Sequence, residues 1–309
     1  MKLINPKVEI WQCGYTLSEI WSHIAKCARV CYQSEPRNNG ETDEEFVRRV
    51  ILRNHSGEEI SKDRKLQLKL HLSVLEQGTI YLDIPLKDMG NKFYVVNFPY
   101  QSNPYTKCTV YRDDKGHIRY AITTNMRVII ENGAWDEMYY LCAPTQYHCL
   151  RTTFNIITDI GVARELDRHR SHSISEESTR FCNYSKDKFN NELTFIKPEW
   201  LNVEIGTYKE EDYVAEYYYD MGTTEYNTIV HLFMVENGYK ELIRRGFTPQ
   251  EARQLLPLST KVQTIHTAFN SDWEEFIKLR ADACSGSVHP NMKDIACLIR
   301  DNLYGANAG

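Results

Sequence analysis

Between Arg168 and Arg180 the chain reads RHRSHSISEESTR. Those thirteen residues gather three arginines, two histidines, two glutamates and four serines around one strongly apolar side chain, Ile174. Arginine presents a planar fork of donors that matches phosphates and carboxylates. Serine adds short hydroxyl donors, and a carboxylate can orient both or accept from a sugar hydroxyl. A charged run of this kind is more often a solvated, salt-bridged surface. The residues just upstream argue against that reading here.

The preceding stretch, Thr152 to Arg164, reads TTFNIITDIGVAR. Thr153, Phe154, Ile156 and Ile157 favour a strand. Asp159 is placed to cap a helix beginning near Ile160, with Val162, Ala163 and Leu166 on its apolar side. Arg164 and Arg168 would then share a helix face, where like charges repel by about 0.2–0.5 kcal/mol. A helix that tolerates this and runs into further arginine is expected to end at an anion pocket.

The whole chain limits what that anion belongs to. With 309 residues, 42% of them hydrophobic, it can bury a sizeable core, and 20 tyrosines make the edges of that core amphipathic. The net charge of −5 excludes a broad nucleic-acid-binding surface and favours a small anionic ligand at the local arginine cluster. Nine scattered cysteines, with only Cys27 and Cys31 at helix spacing, give no structural zinc pattern, and no metal is expected. The first residues, Met1 to Pro6, lack an apolar leader, and no run approaches the roughly 18 apolar residues of a membrane helix. We expect a soluble, cytoplasmic protein without membrane partners.

Several elements can be placed by pattern. Residues 16–33 should be a helix, with Leu17, Ile20, Trp21, Ile24, Ala25 and Ala28 at helical spacing and a Thr16/Glu19 capping box. Glu44 to Asn54 reads as a second, charged helix. Leu66 to Ile84 alternates like a strand, and residues 85–133 hold turn residues, including a hairpin turn at Asp113-Asp114-Lys115-Gly116 between Tyr111 and Tyr120. A long helix from Glu210 to Asn237 should present Ile229, Val230, Phe233 and Met234, with Gly238 ending it. Thr248-Pro249-Gln250-Glu251 is a strong helix start, and Ser271 to Glu274 should open a helix that runs to Arg280. With no linker or repeat, the pattern predicts one α+β domain over 1–309, mostly antiparallel sheet against long helices, with an inserted hairpin-like segment.

Arg168-His169-Arg170, followed by seven residues and Ser178, resembles the signature of flavin-dependent thymidylate synthases. Other segments agree in order: Ala28-Arg29-Val30, His71-x-Ser73-x-x-Glu76, Ala252-Arg253-x-x-Leu256-Pro257 and Lys278-Leu279-Arg280-Ala281-Asp282. The resemblance covers most of 15–84 and 150–300, leaving about 85–148 as an insertion relative to compact members. It implies methylation of dUMP to dTMP, with 5,10-methylenetetrahydrofolate as carbon donor, FAD as redox cofactor and NADPH or NADH as reductant. It further implies a homotetramer with active sites between subunits.

By the same resemblance, Arg168, His169 and Arg170 would hold FAD, with His71, Ser73 and Glu76. Glu165, Arg168, Glu176, Ser178, Arg180, Arg253 and Arg280 would surround dUMP. Ser178 and Arg180 suit its phosphate; Arg253 and Arg280 suit the uracil and are the candidate catalytic groups. The sequence departs from the family in carrying Glu165 for a common glutamine, Phe181 for a common tyrosine and Lys278 for a common asparagine. The usual Asn-x-Arg flavin contact is also missing from Thr267-Ala268-Phe269-Asn270-Ser271-Asp272. A similar string, Thr124-Asn125-Met126-Arg127, lies in the insertion, so Asn125 and Arg127 are expected to supply that contact. Two rivals stand beside this reading: an enzyme on the same scaffold modifying another pyrimidine nucleotide, and a non-catalytic binder of nucleotides or RNA.

Overall fold

A computed structural model describes residues 1–34, 39–89, 103–214, 223–284 and 286–305. The fold is mixed α+β with mostly antiparallel sheets, as the sequence pattern predicts. Its centre is a four-stranded antiparallel sheet. Strand β6 (Arg151–Asp159) pairs along its whole length with β10 (Lys261–Phe269), in register from Asp159 opposite Lys261 to Arg151 opposite Phe269. Strand β2 (Lys7–Trp11) flanks β6, and β7 (Ser173–Glu176) flanks β10. Both central strands are buried on nearly every residue, which explains their apolar and threonine-rich text.

Two smaller sheets lie beside it. One orders as β8 (Thr194–Ile196), β1 (Lys2–Ile4) and β9 (Gly206–Thr207), with β1 and β8 parallel. The other orders as β3 (Thr79–Pro85), β5 (Ile118–Asn125) and β4 (Lys107–Arg112), with β4 and β5 in the 85–148 segment that the resemblance sets apart as inserted. Its hairpin turns at Asp113–Gly116 as the pattern predicts: Gly116 has φ +82° and donates its N–H to Asp113 O at 2.8 Å.

The helix Leu17–Tyr32 begins with the expected capping box and packs Ile20, Trp21 and Ile24 against Ile80, Leu82 and Ile122 of the inserted sheet. Close approach is required at Gly78, where an added Cβ would fall 2.5 Å from Ile24 Cδ1. A second core joins Phe154 and Ile156 to Trp273 and Phe276 of the helix Asn270–Arg280 and to the helix Pro290–Gly305. A third surrounds Leu3, Phe195, Phe233 and Tyr239. No helix among the described residues is long and apolar enough to cross a membrane.

Five element readings need correction. Leu66–Ile84 is not one strand. It holds the end of a short helix (Arg64–Lys69), a 3-10 stretch (Leu72–Gln77) and the start of β3. Its Leu-polar-Val alternation satisfies a tight turn as well as a pleat, and Val74 to Gln77 are buried in succession. The second helix spans only Asp43–Val50, because Arg53 and Asn54 take positive φ. The long helix is Thr224–Arg244, preceded by Glu211–Val214, with 215–222 outside the described residues. It passes through Gly238 without ending and leaves Met234 57% exposed, so its core side is Ile229, Phe233 and Tyr239. Ser271 lies inside the first turn of its helix, whose start at Phe269 has no side-chain cap. Finally, the helix after β6 stops at Leu166, which puts Arg168 beyond it and off the face of Arg164.

Candidate active site

The arginine-rich segment begins where that helix, Ile160–Leu166, ends. Asp159 caps its start as expected, its Oδ1 accepting from Val162 N at 2.8 Å. Two tight turns follow, with His169 N donating to Leu166 O and His172 N to His169 O, each at 3.0 Å. The chain then enters β7 beside β10, and Ser178 N donates to Cys31 O at the end of the first long helix. Arg164, Arg168, Arg170 and Arg180 are exposed, and Ser178 is half-buried. Among the described residues, Arg164, Arg168 and Arg170 have no ion pair or side-chain hydrogen bond.

Residues remote in sequence converge on this loop. Arg280 sends Nε to His169 Nε2 at 3.3 Å and Nη1 to Glu165 Oε2 at 3.4 Å. His169 is therefore an acceptor at Nε2, and burial together with the Arg280 charge lowers its pKa to about 4. On the other side, Arg253 Nη1 donates to Thr179 Oγ1 at 3.3 Å, and Arg180 Nε to Gln250 Oε1 at 2.8 Å. The helix start at Thr248 orients that arm: the Glu251 carboxylate accepts from the Thr248 N–H and hydroxyl, both at 2.8 Å. Phe181 is exposed and lies 5.4 Å from the Tyr32 ring.

Behind the loop is a polar layer that the sequence did not disclose. His172 and His266 face each other Nδ1 to Nδ1 at 3.3 Å, both Nε2 atoms are buried without a hydrogen-bond partner among the described residues, and His266 Nε2 lies 4.0 Å from Asp167 Oδ1. Burial holds the His266 pKa down to about 3. Glu176, on the same face of the sheet as His266, has one buried and unpartnered carboxylate oxygen. Burial, then the negative Asp167 and Glu177, push its pKa up to about 7. Nothing local in the text pairs His172 with His266; only the register of β7 against β10 does.

The early segment reaches the loop through Gln77 rather than His71. Gln77 Nε2 donates to Ser173 O at 3.1 Å and Ser175 Oγ at 3.2 Å. His71 and Ser73 are exposed on the 3-10 stretch and not on a strand, while Glu76 is buried. Glu76 Oε1 accepts from Arg127 Nη1 at 2.6 Å, and Arg127 Nε also bonds Glu131 at 3.0 Å. Asn125 is fully buried and caps the helix Met126–Glu131 through Val128 N at 3.0 Å. The structure thus joins Glu76 to Arg127 and spends the Asn125 oxygen inside the fold.

A cavity of about 730 Å³ lies beside the Ile160–Leu166 helix, lined by Arg164 and Glu165 together with Glu199, Trp200, His289 and Asn291 among others. Of the predicted site residues, only Glu165 lines it. Arg180 and Arg253 are exposed and Ser178 half-buried, and none of the three lines it.

Residues 146–305 match the family described as thymidylate synthase complementing protein, Thy1. The chain is 28% identical over 144 residues to a flavin-dependent thymidylate synthase of Thermosipho melanesiensis, a match covering 45% of this chain and 58% of that protein. It is 27% identical over 143 residues to a flavin-dependent thymidylate synthase of Tropheryma whipplei, covering 44% and 55%. The chain thus spans little more than half the length of these curated relatives. Among solved structures it resembles the UMP/dUMP methylase PolB from Streptomyces cacaoi bound with 5-Br UMP. That likeness has 23% identity over 51% of this chain and 69% of the other, with a TM-score of 0.36.

Proposed function

The chain belongs to the Thy1 family of flavin-dependent thymidylate synthases, and from that premise we propose that it methylates dUMP to dTMP, taking the carbon from 5,10-methylenetetrahydrofolate. The observation that carries this reading is the meeting of Arg280 with His169 and Glu165, and of Arg253 with Thr179, across more than 70 residues of sequence.

The residues present fit a flavin dinucleotide. Among the described residues, Arg168 and Arg170 are unpaired cations beside the neutral His169, whose ring packs edge-on to Phe276 at 4.8 Å. That combination offers charge for an anionic group and a ring-lined, partly dry corner for a heterocycle. When bound, FAD would supply hydride equivalents drawn from NADPH or NADH. Arg168, His169 and Arg170 would hold it with His71, Ser73 and Glu76; Arg127 would act by fixing the Glu76 carboxylate and Asn125 by starting the Arg127 helix.

Ser178 and Arg180 would take the dUMP phosphate. Arg253 and Arg280 would face the uracil carbonyls and stabilise negative charge that builds there as C5 becomes nucleophilic. Arg280 is already aimed by its bonds to Glu165 and His169, so less freedom is lost at the moment of reaction. Glu176, titrating near neutrality, would donate to or accept from the sugar. Each charge-assisted hydrogen bond contributes about 1.5–3 kcal/mol, and three or four of them give roughly micromolar binding after immobilisation costs. As in the family, we propose a homotetramer acting in the cytoplasm.

The test is a product assay with dUMP, methylenetetrahydrofolate, FAD and NADPH, run in parallel with UMP and dCMP. dTMP and tetrahydrofolate are the expected products. Conversion of dCMP or UMP with dUMP untouched would favour the other-pyrimidine reading, and tight, salt-steep RNA binding without turnover would favour a non-catalytic binder.

A further inference from the structure

The inserted sheet meets the start of the Asn270–Arg280 helix through a cation outside all the family motifs. Lys107, the first residue of β4, reaches the start of the Asn270–Arg280 helix. Its Nζ donates to Ser271 Oγ at 2.7 Å and lies 4.3 Å from the centre of the Phe269 ring. Arg151, the first residue of β6, approaches the same ring, its guanidinium carbon 5.6 Å from the centre.

Arg151 is only 9% exposed, yet every acceptor it uses is neutral. Nη1 donates to Glu76 O and Thr79 Oγ1, both at 3.2 Å, and Nη2 to Ser173 Oγ at 3.1 Å, while Nε is buried without a partner. A guanidinium buried without a counter-charge is costly. The acids that feel it are Glu76 and Asp272. Glu76 is already bound by Arg127, and Asp272 makes no ion pair with Arg151 or Lys107 among the described residues. Arg127 itself is held between Glu76 and Glu131. Among the described residues, the cations left to answer an outside anion at this edge are therefore Lys107 and Arg151.

We propose that Lys107, backed by the fixed charge of Arg151, contacts the pyrophosphate of the flavin dinucleotide. The inserted sheet would thereby supply a cation beside the Thr267–Asp272 stretch, which lacks the Asn-x-Arg that the resemblance leads one to expect. This rests on the flavin reading above. An ammonium is a compact point charge well suited to phosphate oxygens, and Lys107 is only half-buried, so it can exchange Ser271 Oγ for a ligand oxygen. Arg151 is a positioning residue. Its bonds tie the Glu76 segment, the inserted sheet and Ser173, three residues past Arg170, into one unit.

The test titrates the full chain with FAD and with riboflavin, which lacks phosphate, following flavin fluorescence. Lys107→Gln should weaken FAD about tenfold or more, flatten its salt dependence and leave riboflavin binding unchanged. Lys115→Gln, at the exposed hairpin tip, should match the wild type. Equal FAD affinity for Lys107→Gln and wild type overturns the inference, as does an equal loss of FAD and riboflavin, which would signal damage to the fold. A wild-type chain that takes up no FAD removes the flavin reading itself, and this inference with it.

Discussion

Arg280 brings a permanent charge within 3.3 Å of a histidine that must stay neutral to accept its N–H. Its removal should therefore be felt twice, in the proposed contact with uracil and in the ring that adjoins it. Arg280→Ala is expected to lower turnover by about 10²-fold with little loss of fold, since Arg280 is half-buried at a helix end; steady-state kinetics beside a circular dichroism melt would decide this. Glu176 is a second case. Its folded pKa of about 7 exceeds the ordinary 4.5, so the folded state favours the protonated form. The penalty is absent below about pH 4.5 and complete above about pH 7. Glu176→Gln should thus raise the melting temperature at pH 8 and leave it unchanged near pH 4.5, and a gain of the same size at both would contradict the assignment. Arg127→Ala strips the buried Glu76 of its cation. Because Arg127 is itself 30% exposed, the expected cost is at the lower end for a buried pair, about 3 kcal/mol in urea unfolding, with reduced FAD retention.

At the scale of elements, the strands and caps that deliver the site follow from short-range chemistry and were legible. The threonine-rich β6, the Asp159 cap and the Thr16 and Thr248 boxes all depend on contacts within a few residues. Asp159→Ala should destabilise by about 1–2 kcal/mol in the same urea experiment, since Asp159 also accepts from Asn291 Nδ2 at 3.1 Å. What the text concealed is set by tertiary packing. The 3-10 stretch at Leu72–Gln77 carries the alternation of a strand. Gly238 lies inside the helix at a point where Leu255 packs closely, its Cδ1 3.1 Å from where an added Cβ would fall. The neighbours of the arginine loop depend on register between distant strands, so His266 and Arg151 gave no local signal. The match from Arg168 to Ser178 pointed to the loop but not to the polar layer behind it.

Across the whole molecule, several histidines are buried neutral around the central sheet. Burial, chiefly, lowers the pKa of His23 and His169 to about 4 and that of His266 to about 3, against an ordinary 6.5. A folded pKa below the unfolded one gives stability that is full above pH 6.5 and lost as pH falls through the folded values. Thermal melts should therefore decline steeply between about pH 6.5 and pH 4, and a flat profile there would mean that these rings are solvated. The inserted sheet and the central sheet meet at the buried Arg151, which bonds Thr79 and Ser173. The most direct measurement is the visible absorption spectrum of the full chain mixed with FAD and freed of unbound flavin, recorded before and after NADPH and dUMP. Retained flavin bands that bleach with NADPH and shift with dUMP are predicted. A colourless protein whose spectrum neither reagent alters would contradict the account.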